Sequence, residues 1–178
     1  MKFFQKRGVM LAICVLVVIA STLVNTRWKL GAKVRALDNA FYAADGIAAQ
    51  LEVLHQQADS LASVAESKGI DAAALRSASD NLQGMLSQRS VSAAQLYPCY
   101  DSLRRELSNT RQRLLAVQLS DGEADQVNKS LETIESAKAA IGASGYNEEV
   151  RAFQNRYGSA FTRFLASLVG LHFPMEFA

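Results

Sequence analysis

The hydrophobic pattern separates an uninterrupted apolar run from a longer amphipathic region. Residues 8–24 contain no charged side chain, and these 17 residues are at the short end of what spans a hydrocarbon layer of roughly 30 Å as a helix. Trp28 follows the run between two cations, as is typical of a helix held at a membrane interface. The pattern predicts a short basic tail over residues 1–7 and a transmembrane signal anchor over residues 8–24. The cations of the tail are Lys2, Lys6 and Arg7.

A cleavable signal peptide is the alternative interpretation of this segment. It would have the same basic start and apolar centre, and Ala20 closes a candidate cleavage site. The run is longer than a usual signal-peptide core and continues through Val24, which favours a retained anchor. Positive charges on the two sides nearly balance, so they leave the orientation open. We therefore expect a single-pass protein of the cell (inner) membrane, with the side of the main domain undetermined.

Beyond the anchor, apolar positions recur in alternating steps of four and three, as in the heptads of a coiled coil. Pro98 is the first proline of the chain, and Gly69 suits the left-handed position that follows many helix ends. We therefore expect the membrane helix to continue as one long helix to about residue 68. The seam consists of Leu30, Val34, Leu37, Phe41, Ala44, Ala48, Leu51, His55, Ala58, Ala62 and Ala65.

Turn and cap signals divide the next part of the chain into two helices. Asp71 is suited to cap the start of the first of them, which extends to about residue 86. The second begins near Ser92, and the proline of the Tyr97-Pro98 pair is expected to interrupt or kink it. A turn at residues 120–122 ends this helix.

Two more helices complete the predicted fold. One covers about residues 123–141, and after a break at residues 142–145 an aromatic stripe marks a last helix from Tyr146 to about Leu171. Amphipathic helices joined by short turns bury their apolar stripes against one another. The sequence thus predicts an all-α fold, in which a transmembrane helix continues into a long antiparallel bundle of four to five helices over residues 25–178.

Composition and charge exclude several classes of protein. With 49% hydrophobic and 20% charged residues, the chain is not of a disordered type. Its net charge of +2 is too small for a nucleic-acid binder, and three of its 19 basic residues precede the apolar run. Cys14 lies inside that run and Cys99 is the other thiol, so a disulfide scaffold is also excluded.

The chain lacks the usual signals of catalysis. His55 and His172 are far apart in sequence, with no carboxylate or thiol at metal-ligand spacing around them. Cys99 has no histidine nearby in sequence, and no nucleotide, hydrolase or metalloprotease motif occurs. We therefore expect no enzyme activity, metal, cofactor or small-molecule substrate. His55 is interpreted as a partly buried residue of the bundle.

Two groups of residues are candidates for binding a partner. Basic side chains cluster in the third amphipathic stretch, where a solvated helix face also explains them. The C-terminal segment is rich in aromatic residues and is expected to dock on the bundle or rest against a membrane. The first group is Arg104, Arg105, Arg111 and Arg113, and the second is Phe161, Phe164, Leu168 and Phe173.

The pair Tyr146-Asn147 opens the last predicted helix, which leads into an apolar, glycine-containing end and a closing Glu176-Phe177 pair. This arrangement resembles the terminal motif of the LemA family. The Tyr97-Pro98 pair is similar to the family's mid-chain Tyr-Pro. Other matching residues are Asn25, Leu30, Val34, Glu106, Leu107, Thr110, Arg113, Val150, Phe153, Tyr157, Phe161, Ala166 and Gly170.

The first helix departs from the family pattern, since residues 48–54 replace its Asp-Leu-Ile-Pro-Asn-Leu element. The resemblance therefore indicates a divergent member. It implies a single-pass, N-terminally anchored bacterial protein with a long antiparallel helical bundle and no established catalytic activity. It also implies structural roles for Tyr146, Asn147, Val150, Phe153 and Gly170.

From these features we expect a membrane-anchored scaffold that binds another protein through the first long helix or the hydrophobic C-terminal segment. The alternative is a lipid-surface sensor that uses the arginine face and that same segment.

Overall fold

A computed structural model describes the backbone of residues 2–88 and 91–178, and the side chains of residues 8–88 and 91–178. The side chains of Lys2, Lys6 and Arg7 lie outside the described residues. The described part of the chain forms helices and no strands, which confirms the predicted all-α fold. Its helices are α1 (Lys2–Phe41), α2 (Ile47–Ser67), α3 (Ala73–Leu86), α4 (Ala93–Leu115), α5 (Asp121–Ala143), α6 (Tyr146–Tyr157) and α7 (Ala160–Leu168).

The two halves of α1 have different surroundings. The apolar side chains of residues 9–19 are largely exposed, and α1 is the one helix of the described chain that is long and apolar enough to cross a membrane. The second half buries one stripe against the rest of the protein. This stripe follows the predicted heptad seam and consists of Leu30, Val34, Leu37 and Phe41.

The long helix predicted to end near residue 68 is interrupted, because α1 ends at Phe41 and α2 begins at Ile47. The Tyr42 hydroxyl donates to the carbonyl of Val91 at 3.0 Å, which ties the break to the start of α4. A Cβ at Gly46 would overlap the Ala40 and Phe41 carbonyl oxygens, so the turn needs glycine there.

The break also changes which positions are buried. Ala44 is exposed, and Ala48 and His55 are only partly buried, so the continuous seam predicted through these residues is wrong there. Within α2 the buried set combines the remaining seam positions with others beside them, because α3, α4 and α5 all pack on this helix. The buried residues are Ile47, Leu51, Leu54, Ala58, Leu61, Ala62, Val64 and Ala65.

The bundle is organised around α2. Helices α3 and α5 pack against α2, α4 packs against α3 and α2, and α6 and α7 pack against α1. Helices α2 and α3, and helices α3 and α4, pack against one another across short connections, as in an antiparallel bundle. The fully buried aliphatic side chains of the core are Leu51, Leu54, Leu61, Leu75, Leu82, Leu96, Leu103, Leu114 and Val150.

Local sequence signals set the boundary between α2 and α3. Gly69 has a φ of 72° and its N–H donates to the Glu66 carbonyl at 2.9 Å, as predicted for a helix C-terminus. The Asp71 carboxylate accepts a hydrogen bond from the Ala73 N–H at 2.9 Å. The N-cap position itself is Ala72, so Asp71 bonds the first turn of α3 from the residue before the N-cap, not from the N-cap position that was predicted for it.

Helix α4 starts where predicted and runs through Pro98 without interruption. Ser92 and Gln95 form a capping box at its start, in which each side chain bonds the other residue's backbone. Pro98 is the sixth residue of the helix, where it withholds an N–H from the Ala94 carbonyl only. The expected interruption is therefore wrong, because capping and burial of the first turns outweigh one missing bond.

The last predicted helix is divided into two and is shorter than expected. Gly158 ends α6, and Ser159 caps α7 by accepting a hydrogen bond from the Thr162 N–H at 3.2 Å. Helix α7 stops at Leu168, because Gly170 adopts a left-handed φ of 68°. The chain is thereby turned back along α6.

A second capping box begins α5 and carries an ion pair. Glu123 accepts hydrogen bonds from the backbone and hydroxyl of Ser120, at 2.9 and 2.7 Å. Its carboxylate also lies 2.6 Å from the Lys68 ammonium at the end of α2. The Lys68 hydrogen bond, followed by the two from Ser120, lowers the pKa of Glu123 to about 2.

We expect Gly46→Ala to destabilise the protein by about 1–3 kcal/mol, because the new methyl group must displace backbone atoms. Gly142→Ala is the matched control, since open space surrounds that position in α5. It should be neutral or stabilise by about 0.5–1 kcal/mol. Chemical unfolding of the full chain in detergent measures both variants, and equal effects would contradict the account of the break.

The Glu123 ion pair should make stability depend on pH. Because the pKa is lowered in the folded state, the contribution is complete above the ordinary value of 4.5 and is lost as the pH falls towards 2. Glu123→Gln should flatten the stability profile in that window, and Lys68→Met should reduce its slope. A profile unchanged by Glu123→Gln would contradict the assigned ion pair.

Candidate functional site

The four arginines predicted as a binding face of α4 have different contacts. Arg104 donates to the Asp101 carboxylate at 2.8 Å, and Arg105 donates to the same carboxylate. These hydrogen bonds, the Arg104 bond first, lower the pKa of Asp101. Arg113 donates to the Asp71 carbonyl at 3.2 Å, in the loop between α2 and α3. Arg111 has no carboxylate within ion-pair distance in the described part of the chain.

Arg104 and Arg111 line a groove between α4 and α5, which we call the α4–α5 groove. Its floor and walls are leucine and isoleucine side chains, and its rim is charged. The lining contains three cations, Arg104, Arg111 and Lys138, and one carboxylate, Glu135. At the rim, the Lys138 ammonium pairs with the Glu135 carboxylate at 2.9 Å. The lining residues are Leu54, Tyr100, Leu103, Arg104, Leu107, Ser108, Arg111, Leu131, Ile134, Glu135 and Lys138.

A polar cluster joins α2 to α3. The Nδ1 atom of His55 lies 2.6 Å from the Ser79 hydroxyl, which in turn donates to the Asp59 carboxylate at 3.1 Å. His55 is partly buried, in agreement with its sequence interpretation, whereas Ser79 and Asp59 were missed. Asp59 follows His55 by four residues on one helix, and this spacing was the available signal, so the statement that no carboxylate lies at such spacing from His55 is wrong.

This cluster has the residue types of a hydrolytic triad, but its serine is not accessible from solvent. Ser79 is fully buried, so its hydroxyl oxygen is closed to any substrate. The cluster instead satisfies polar groups between two helices. Among the described residues no group of three His, Cys, Asp or Glu side chains could hold a metal ion.

The C-terminal residues 172–178 run back along α6, and side chains of α6 hold their backbone. Asn147 accepts from the Phe177 N–H at 2.8 Å and donates to the Phe177 carbonyl at 3.1 Å. Gln154 donates to the Pro174 carbonyl at 2.9 Å. These contacts hold the C-terminal residues against α6.

Phe177 inserts into an aromatic cluster that joins four parts of the chain. Its ring centroid lies 5.9 Å from Phe41, 5.3 Å from Tyr97 and 5.4 Å from Tyr100. Tyr146 packs on Phe41 at 5.2 Å. Burial, with a smaller effect of nearby anionic groups, raises the pKa of the Tyr146 phenol to about 12. Sequence inspection missed this cluster because its members are distant along the chain.

The remaining motif residues also have structural positions. Val150 and Phe153 are buried on α6, and Phe153 packs on Phe173 at 5.2 Å. Gly170 supplies the left-handed residue after α7. Phe173 is therefore partly buried in the packed tail.

Helix α7 differs from the tail in that it leaves large apolar side chains exposed. Phe161, Phe164 and Leu168 are 68%, 59% and 58% exposed and share one face. The opposite face, with Ala166 buried, is turned towards the protein, and α7 packs against α1. The C-terminal segment was expected either to dock or to rest on a membrane. Residues 172–178 dock along α6, and α7 packs on α1 but leaves its phenylalanine face exposed.

The chain was compared with protein-family models, with curated proteins and with solved structures, and none of them matches.

We expect Asn147→Ala to release the C-terminal residues, because it removes both hydrogen bonds to Phe177. The loss should destabilise the protein by about 1–3 kcal/mol. Hydrogen exchange at the Phe177 amide and digestion by carboxypeptidase measure the release. Asn155→Ala is the matched control on an exposed position of the same helix. Equal protection of the tail in both variants would refute the clamp.

Proposed function

We propose that this chain is a single-pass membrane protein whose bundle binds a segment of a partner protein in the α4–α5 groove. The proposed role is that of a scaffold and assigns no reaction to the chain. The observation that carries the proposal is the groove itself, where Arg111, which has no carboxylate within ion-pair distance among the described residues, borders an apolar floor. The cell (inner) membrane is the proposed location.

The apolar half of α1 supports the membrane anchor. In a soluble protein, a helix of such hydropathy would be buried in the core, yet none of its most apolar window is buried. Leaving residues 8–24 in water would expose a large continuous apolar surface. Because α1 continues as one helix to Phe41, the bundle is fixed to the anchor without a flexible linker.

The groove indicates the chemistry of the partner segment. Leu107 and Leu131 offer apolar contact, while Arg111 and Lys138 lie at the rim. An amphipathic segment with an apolar side chain and neighbouring carboxylates would satisfy both features. A partner of acidic, apolar character is therefore proposed.

The alternative lipid-sensing role of the arginines is less well supported. Arg113 contacts the loop after α2, at the end of the bundle remote from α1. The 21 residues of α2 separate that loop from Phe41 by roughly 30 Å. The arginines of α4 thus extend away from the membrane proposed for α1.

We also propose that the chain is a divergent LemA-like protein. The two ends of the motif, Asn147 and Phe177, form a paired hydrogen bond across α6 and the tail. This contact gives a physical reason for the two ends to occur together. It supports the resemblance without extending it to a partner.

We expect a photoreactive side chain at Ser108, on the groove, to give a discrete protein adduct in intact membranes. Lys138→Glu should abolish that adduct, because it makes the rim repel an acidic segment. Lys129→Glu is the matched control, since Lys129 is exposed on the opposite face of α5. Helical content measured by circular dichroism should be the same in both variants.

Two results would contradict this function. One is the absence of any adduct from Ser108 at normal expression. The other is an adduct that survives Lys138→Glu as well as it survives Lys129→Glu.

A further inference from the structure

We infer that α7 lies on the surface of the same bilayer that α1 crosses, with its exposed apolar face in the lipid. The inference rests on the membrane anchor proposed above but not on the α4–α5 groove. It assigns a lipid contact to a helix that the bundle leaves half uncovered.

Helix α7 is unusual because it carries apolar side chains both on its buried face and on its exposed face. One face is covered, with Ala166 only 1% exposed. The other face carries Phe161, Phe164 and Leu168, each more than half exposed. Two phenylalanines and a leucine on one exposed face of a 9-residue helix form an apolar surface, and contact of this surface with water is unfavourable. An apolar environment, such as lipid, would cover it.

The position of α7 identifies that partner as lipid. The chain just after α7 contacts α1 at Gly31, where the Leu171 side chain lies 3.4 Å from the place a Cβ would occupy. Gly31 comes seven residues after Val24, roughly 10 Å along the helix axis. The absence of a side chain at Gly31 lets this segment approach α1 closely.

The length of the apolar run brings this contact to the membrane surface. The 17 residues of the run span about 25 Å, some 5 Å less than a typical hydrocarbon core. Such a mismatch draws the following turn, up to Trp28, into the interface. Trp28 is 76% exposed, as expected of an interfacial tryptophan. Helix α7 then lies at the depth of the lipid headgroups.

The charges around α7 agree with this location. Arg163, which lies between Phe161 and Phe164 in sequence, is exposed, and its guanidinium lies 5.3 Å from the centre of the Phe173 ring. The nearby residues of α1 carry four cations, and no acidic residue precedes Asp38. This surface therefore suits anionic phospholipids. The cations of α1 are Arg27, Lys29, Lys33 and Arg35.

Tryptophan quenching by brominated lipids tests the inference on the full chain in vesicles of phosphatidylcholine and phosphatidylglycerol. Native Trp28 is the only tryptophan and reports membrane insertion directly. Phe164→Trp in a Trp28→Phe background then reports the position of α7. We expect the two tryptophans to lose comparable fractions of their fluorescence, with a blue-shifted emission at residue 164.

Leu115→Trp in the same background is the matched control. Leu115 is also a large exposed apolar residue, at the end of α4 remote from α1. Its tryptophan should stay unquenched. Quenching at residue 115 equal to that at residue 164 would mean general adsorption to lipid and would overturn the inference.

The outcomes separate this inference from the proposed anchor. Quenching of Trp28 without quenching of Trp at residue 164 leaves the anchor intact and overturns the lipid contact of α7. A blue shift at residue 164 without quenching indicates cover by protein, either a second copy or a partner, and also overturns it. Absence of quenching at Trp28 would overturn the anchor itself, and the inference with it.

Discussion

The contact of Phe177 with Phe41, Tyr97 and Tyr100 is the constraint on which the rest of the structure depends. These side chains come from the C-terminal residues, α1 and the start of α4, and Phe177 is only 5% exposed among them. Burial of a phenylalanine stabilises by roughly 1.5–3 kcal/mol, with a further contribution from the tilted and edge-on ring geometry. Phe177 thereby joins α1 to the bundle.

This junction controls both ends of the molecule. Towards the bundle, it lies beside the turn at residues 42–46, where Tyr42 is bonded to Val91 and the chain changes direction. On the other side, towards the first half of α1, the junction holds residues 172–178 along α6. This limits where α7 can lie. The tail and α7 therefore have separate roles, since the tail packs inward while α7 turns its phenylalanines outward.

Much of this fold follows from local chemistry and could be predicted. The charge-free run, the glycine at residue 69 and the helix start at Ser92 each depend on neighbours within a few residues. The interruption after Phe41 was missed, although Asp45-Gly46 is a dipeptide typical of turns, because apolar positions continue at heptad spacing across it. The need for glycine at residue 46 comes from carbonyl groups that approach only after the chain has turned.

The candidate sites divide in the same way. The resemblance of the C-terminal motif pointed to Asn147 and Phe153, but not to the Asn147 contact with Phe177, which spans 30 residues. Arg104 and Arg111 are seven residues apart, a spacing that places them on one helix face, and both line the α4–α5 groove. Spacing alone could not show that Arg113 lies outside this groove, since its backbone partner, Asp71, belongs to another part of the chain.

Pulsed electron paramagnetic resonance offers the most direct test of the central claim, that the aromatic junction fixes the bundle to α1. Spin labels at exposed Lys33 on α1 and Glu132 on α5 would report one distance across the junction, in vesicles and with Cys14→Ala and Cys99→Ala. The account predicts a single narrow distance distribution that broadens strongly when Phe177→Ala empties the cluster. A broad distribution with Phe177 present, or an equally narrow one without it, would contradict the account.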